Sequence, residues 1–117
     1  MNLEDIQSIC KRLPKVTEDV KWKNDLCFSV DGKMFCVASL AGHLTVSFKV
    51  NNEEFDELTS TPDIIPAPYV ARYKWVLVQK PSRLTRKEWE QYITESYTLV
   101  KNKLPKKTQK RLTSCVF

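Results

Sequence analysis

The dipeptide Asp31-Gly32 constrains this chain more than any other feature. It lies between two runs of alternating apolar residues, and Asp-Gly favours the two-residue type I′ turn that matches the twist of a hairpin. The turn predicts pairing of Val30 with Lys33, Phe28 with Phe35, and Cys27 with Cys36. A second reversal at Ala41-Gly42 predicts Val37 opposite Val46 and Phe35 opposite Phe48. Both registers put Leu26, Phe28, Val30, Phe35, Val37, Leu44, Val46 and Phe48 on one apolar face. A slip by one residue would move a strand's whole set to the other side.

The opposite face gathers Cys27, Ser29, Met34, Cys36, Ala38, Thr45, Ser47 and Lys49, groups small or polar enough to be solvated or thinly covered. In this register Cys27 and Cys36 form a non-hydrogen-bonded pair with Cα atoms about 4.5 Å apart, within reach of a disulfide. Free, buried cysteines are the expected state, with a redox pair as the alternative. No helix start or second motif activates either thiol.

Helix signals flank this meander. Asn2 caps a first helix with Asp5 at its third position and Ile6, Ile9, Cys10 and Leu13 on one face, and Pro14 ends it. Residues 15–24 show no sustained period and read as a loop anchored by Val16 and Trp22. Asn51 and Glu54 open a short helix with Phe55 and Leu58 inward. Thr85 and Glu88 form a capping box for the last helix, with Leu84 placed to staple against Trp89. Its buried stripe is Trp89, Tyr92, Ile93, Ser96, Val100 and Leu104. Between the last two helices, Pro66 and Pro68 hold the backbone extended or turning. The aromatic and β-branched run Tyr73–Val78 then reads as a buried strand.

The resulting order is helix, three-stranded meander, short helix, strand, long helix. It implies an α+β two-layer sandwich, an antiparallel meander sheet packed against N- and C-terminal helices. A length of 117 residues suits a single domain, residues 1–117, with 105–117 as a basic C-terminal extension. No apolar run approaches the roughly 20 residues that span a bilayer. No signal peptide is visible at the N-terminus, so the expected location is cytoplasmic, with no membrane partner and a monomer favoured.

Charge is uneven. Six of the 19 basic residues lie between Ser96 and Phe117, where no acidic residue occurs, and the first 95 residues carry 13 basic against 14 acidic groups. The net charge of +5 therefore reports a basic end rather than a basic protein. Nucleic-acid recognition needs clustered cations.

Catalytic signals are absent. His43, the single histidine, falls at a turn; both glycines serve turns, and no Cys-x-x-Cys occurs. That leaves no phosphate-cradling loop, no zinc ligand spacing and no nucleophile constellation. The expectation is a non-enzymatic protein with no metal site and no cofactor. Lys21, Lys23, Lys33, Lys49, Arg72 and Lys74 are candidate phosphate contacts, with Tyr69, Tyr73 and Trp22 as candidate stacking groups. Arg72 follows a proline-stiffened turn, and its planar fork suits phosphate.

The segments Lys15-Val-Thr-Glu-Asp-Val-Lys-Trp22, Phe28-Ser-Val-Asp-Gly-Lys-Met-Phe35, Ser47-Phe-Lys49, Pro66-Ala-Pro-Tyr69 and Lys74-Trp-Val76 resemble the MmcQ/YjbR family of small bacterial proteins. The likeness runs from about Leu3 to Leu112. It implies a fold related to frataxin/CyaY and a double-wing mode of DNA binding. It points to Trp22, Lys33, Lys49, Pro68, Tyr69, Arg72, Lys74 and Trp75. Two positions depart from the family pattern. Lys23 stands where many members have Gly, and Val70-Ala-Arg-Tyr-Lys74 replaces a His-Met-Asn-Lys-type run. The frataxin kinship also implies an iron-chaperone alternative, but its acidic ridge would rest here on Glu4 and Asp5 alone.

The expected function is thus DNA binding through Lys23, Lys33, Lys49, Tyr69, Arg72 and Lys74, on the open sheet face and the Pro66–Trp75 segment. A protein- or small-ligand-binding module, with a groove beside Tyr69 and the sheet, is the alternative. It would be lined by Cys27, Cys36, Ser47 and Tyr69.

Overall fold

The computed structural model describes residues 1–21, 24–40, 42–68 and 70–104. Trp22, Lys23, Tyr69 and the basic extension 105–117 lie outside the described residues.

Three helices are capped as their sequences demand. In α1 (Leu3–Lys11), α2 (Asn52–Thr59) and α3 (Arg86–Lys101), the capping side chains of Asn2, Asn51 and Thr85 each accept from the third residue's N–H. Asp5, Glu54 and Glu88 reach back to the cap backbone, completing a capping box in each helix. Leu84 and Trp89 are both buried in the core, and the indole N–H donates to Pro81 O at 2.9 Å.

The strands are β1 (Val16–Lys21), β2 (Asp25–Val30), β3 (Lys33–Ser39), β4 (Thr45–Lys49), β5 (Ile64–Pro66) and β6 (Trp75–Val78). They form one antiparallel sheet in the order β1-β2-β3-β4-β6-β5. This is the expected α+β architecture, with two strands more than the sequence suggested.

Residues 16–21 are an edge strand rather than a loop. The strand lacks apolar alternation because an edge is half solvated: Thr17, Asp19 and Val20 are exposed. Glu18 ties it to α1, accepting from the Gln7 amide at 2.7 Å and pairing with Lys11 at 3.0 Å. At the other edge, Ile64–Pro66 pairs with β6, and Pro66 is tolerated because that edge needs no N–H donor. The last strand starts at Trp75, not Tyr73. Ala71–Tyr73 is a 3-10 turn, and Lys74 closes it in the left-handed region at φ 64°.

The hairpin at Asp31-Gly32 forms with both residues at positive φ, 49° and 77°, as a type I′ turn requires. Val30 faces Lys33 and Ser29 faces Met34, but the register then shifts between Phe28 and Ser29. Phe28 faces Cys36, Cys27 faces Val37 and Leu26 faces Ala38. Phe35 is the extra residue of a β-bulge, and both it and Cys36 are fully buried.

The bulge, together with a β3–β4 connection that runs from Ser39 to Thr45 rather than through a two-residue turn, corrects three expectations. On β4, Phe48 faces Cys36 and Val46 faces Ala38, each one place from the predicted partner. Cys36 and Ala38 join the core, while Val37 turns to the other face. Cys27 and Cys36 are therefore not opposed, and Cys10, Cys27 and Cys36 are all free. Cys36 instead meets Cys10 of α1. Hydrogen bonding to the Cys36 thiol, then burial, hold the Cys10 thiol far above its ordinary range.

Packing follows from this face. Trp89, Phe28, Phe35, Phe48, Ile6 and Ile93 are fully buried between the sheet and the helices. Phe48 meets Trp89 edge-on and stacks on Tyr92, both at 5.7 Å, while Phe35 meets Tyr97 edge-on at 5.4 Å. Tyr97 is buried, and its hydroxyl donates to Pro14 O at 2.7 Å, which fastens the end of α1 to α3. No described helix is long and apolar enough to cross a membrane.

Candidate nucleic-acid interface

Strand ends set the geometry of the site. Lys33 opens β3 just after the hairpin turn, and Lys49 closes β4 opposite Trp75, so both stand at the same end of the sheet. Arg72 and Lys74 come from the 3-10 turn that leads into β6. Lys103 follows the C-terminus of α3, whose buried stripe carries it over this end of the sheet.

These five cations line two adjoining depressions. Lys49, Tyr73 and Lys103 border both. The first, of about 360 Å³, also takes Asn51, Asn52, Arg72 and Lys74. The second, of about 420 Å³, takes Lys33, Met34 and Trp75. Of the residues expected on the open sheet face and the Pro66–Trp75 segment, Lys33, Lys49, Arg72 and Lys74 border these depressions at one end of the sheet, alongside residues of α2 and the end of α3. Lys21 is not part of it: it stands opposite Asp25, at the other end of the strands. Lys23, Tyr69 and Trp22 lie outside the described residues. Lys103, Asn51 and Asn52 escaped sequence reasoning, because only the packing of α3 and α2 on the sheet brings them here.

The electrostatics are one-sided. Elsewhere five basic side chains find carboxylates: Lys11 with Glu18, Arg12 and Arg86 with Glu90, Arg86 with Asp5, Lys80 and Arg83 with Asp63. Among the described residues, none of the ion pairs involves Lys33, Lys49, Arg72, Lys74 or Lys103. Arg72 lies over the ring of Tyr73 at 4.7 Å and Lys74 over that of Phe55 at 4.8 Å. Lys49 keeps only 9% of its surface, and its ammonium donates to Tyr73 O. Burial, then the neighbouring charge of Lys103, pulls its pKa below the ordinary lysine range. An anion in the depression would relieve both effects.

On the sheet face away from the helices lies a groove of about 690 Å³, lined by Asp25, Met34, Val37, Ser47, Ala67, Pro68, Val70 and Trp75. Ser47 lines it as expected. Cys36 faces the core instead, and Cys27 is fully buried. Among the described residues no group of three or more His, Cys, Asp or Glu could hold a metal ion.

A family model described as YjbR matches residues 11–99. The chain belongs to the YjbR family. The match spans the meander, α2, the 3-10 turn and nearly all of α3, and stops short of Lys103. A crystal structure of a protein from Pseudomonas syringae has a similar fold, with TM-score 0.69 at 22% identity. The alignment covers 85% of this chain and 98% of that one. No curated protein matches. In this YjbR protein the charged cluster therefore sits on a family scaffold, with its fifth cation supplied from beyond the matched region.

Proposed function

We propose that this protein binds DNA without catalysing a reaction on it, contacting phosphates through Lys33, Lys49, Arg72, Lys74 and Lys103. One observation carries the reading: five cations from four separate segments converge on two shared depressions with no carboxylate pairing among the described residues. Holding like charges together costs free energy that a bound polyanion returns. Tyr73, 48% exposed beside Arg72, adds a ring for base or sugar.

The test is a salt series of fluorescence anisotropy with duplex and single-stranded DNA. Five neutralised phosphates give a log–log slope of about −4.5 on duplex. The double replacement Lys49→Ala and Arg72→Ala should lower affinity at least tenfold while the circular dichroism spectrum is kept. Unchanged affinity in that variant rejects the reading.

The apolar groove favours a second reading, a small-ligand module, since its volume falls within the range of small-molecule sites. Binding there would be nearly indifferent to salt.

A further inference from the structure

The cation cluster and the apolar groove share a wall. Met34 and Trp75 line both the depression that holds Lys33, Lys49 and Lys103 and the groove that runs along the open sheet face to Asp25. Charge and apolar surface thus meet at one step, without an intervening acidic group.

This juxtaposition limits how DNA could use it. A duplex presents phosphates on a convex cylinder and keeps its bases stacked inside. Lys49, 9% exposed, is reached only from within a depression, and a groove along a sheet face takes a ring only if that ring has left its stack. An unpaired strand end can do both. Its terminal phosphate is also distinct in charge: a monoester carries roughly −1.5 to −2 at neutral pH against −1 for each internal diester. A site where Lys49 and Lys103 repel each other gains most from the more highly charged group.

From this we infer that the site, taken as the DNA-binding site proposed above, receives the phosphomonoester end of a DNA strand. The terminal phosphate rests on Lys49 and Lys103, with Lys33 beside it. The unpaired terminal base enters the groove along Met34 and Trp75. Trp75, 8% exposed, and Met34 give the groove an apolar wall, and apolar contact with a base is tolerant of its identity. Ser47 and Asp25 are the polar groups along the groove. Arg72, Lys74 and the asparagines line the neighbouring depression, placed for the phosphates that follow.

One single-stranded oligonucleotide, made with hydroxyl ends, with a 5′-phosphate and with a 3′-phosphate, tests the inference by anisotropy at fixed salt. One phosphorylated form should bind at least tenfold tighter than the hydroxyl form, and Lys49→Met should erase that difference. If Lys49→Met does not fold, Lys103→Met, exposed beyond α3, serves the same purpose. Equal binding of all three forms overturns end recognition and leaves the general DNA reading standing. Failure of every form to bind at low salt overturns both. Displacement by a nucleoside monophosphate at the affinity of the phosphorylated strand would assign the site to free nucleotides and also overturn the inference.

Discussion

The Ser96 hydroxyl donates a 2.6 Å hydrogen bond to the carbonyl of Phe35, the residue that the β-bulge leaves without a partner. The same oxygen accepts the N–H of Lys49 at 2.9 Å. The β3–β4 ladder ends at Cys36 opposite Phe48, and Phe35 opposite Lys49 would be its next rung. A side chain from α3 thus replaces the missing strand-to-strand bond. It also fixes the backbone of the lysine at the centre of the cation cluster. Ser96 is fully buried, so bulk solvent does not reach these groups. Ser96→Ala should cost about 2–4 kcal/mol, the penalty for two buried backbone groups left unsatisfied. Urea unfolding measures it; a loss under 0.5 kcal/mol would show that the rung is dispensable.

This rung explains where the sequence stopped being readable. Capping boxes, the type I′ turn and the α3 stripe are local patterns, and each was legible. The bulge was not, because Met34-Phe-Cys-Val-Ala38 is apolar throughout and satisfies either alternation equally well. Pairs near the turn, Val30 with Lys33, were right since they precede the extra residue. The edge strand β1 was missed for the opposite reason: Thr17, Glu18 and Asp19 carry no apolar period to detect. At the site, Lys33, Lys49, Arg72 and Lys74 were visible as cations at strand and turn ends. Lys103 was not, because its place depends on long-range packing of α3 against the sheet.

Lys49 trades stability for charge. Burial, then the charge of Lys103, lowers its pKa, so the folded state binds its proton more weakly than the unfolded chain does. Stability should therefore rise with pH as Lys49 deprotonates, in the window below its unfolded value of about 10.4. Lys49→Met should remove the penalty, leaving stability at pH 7 unchanged or up to about 1 kcal/mol higher, and should flatten this alkaline rise. DNA affinity should fall in the same variant. Parallel urea and anisotropy titrations separate the two effects; a loss of stability above 1 kcal/mol would contradict the assignment.

Glu54 behaves in the opposite sense. Burial, then the hydrogen bond and charge of Glu95, pushes its pKa up to about 7 from an ordinary 4.5. Between those values the folded protein holds a proton that the unfolded chain has released. The contribution is complete below about 4.5 and is lost as pH rises through 7. Half-exposure tempers the amount to about 1 kcal/mol. Glu54→Gln preserves the capping geometry and should make thermal stability flatter between pH 5 and 8. An unchanged pH profile in this variant would place the titration elsewhere.

The basic extension is the strongest rival for any DNA affinity, since Lys106, Lys107, Lys110 and Arg111 add four charges without an acidic neighbour in sequence. Ending the chain after Leu104 removes these four and keeps all five cations of the cluster. Long-range attraction weakens steeply with salt, whereas the cluster holds its charges in fixed geometry. The shortened protein should lose less than tenfold in affinity at about 150 mM salt, with a shallower salt slope. The full-length Lys49→Ala and Arg72→Ala variant should lose more than tenfold under the same conditions. If the shortened chain loses the greater share, the extension rather than the sheet end supplies the binding energy.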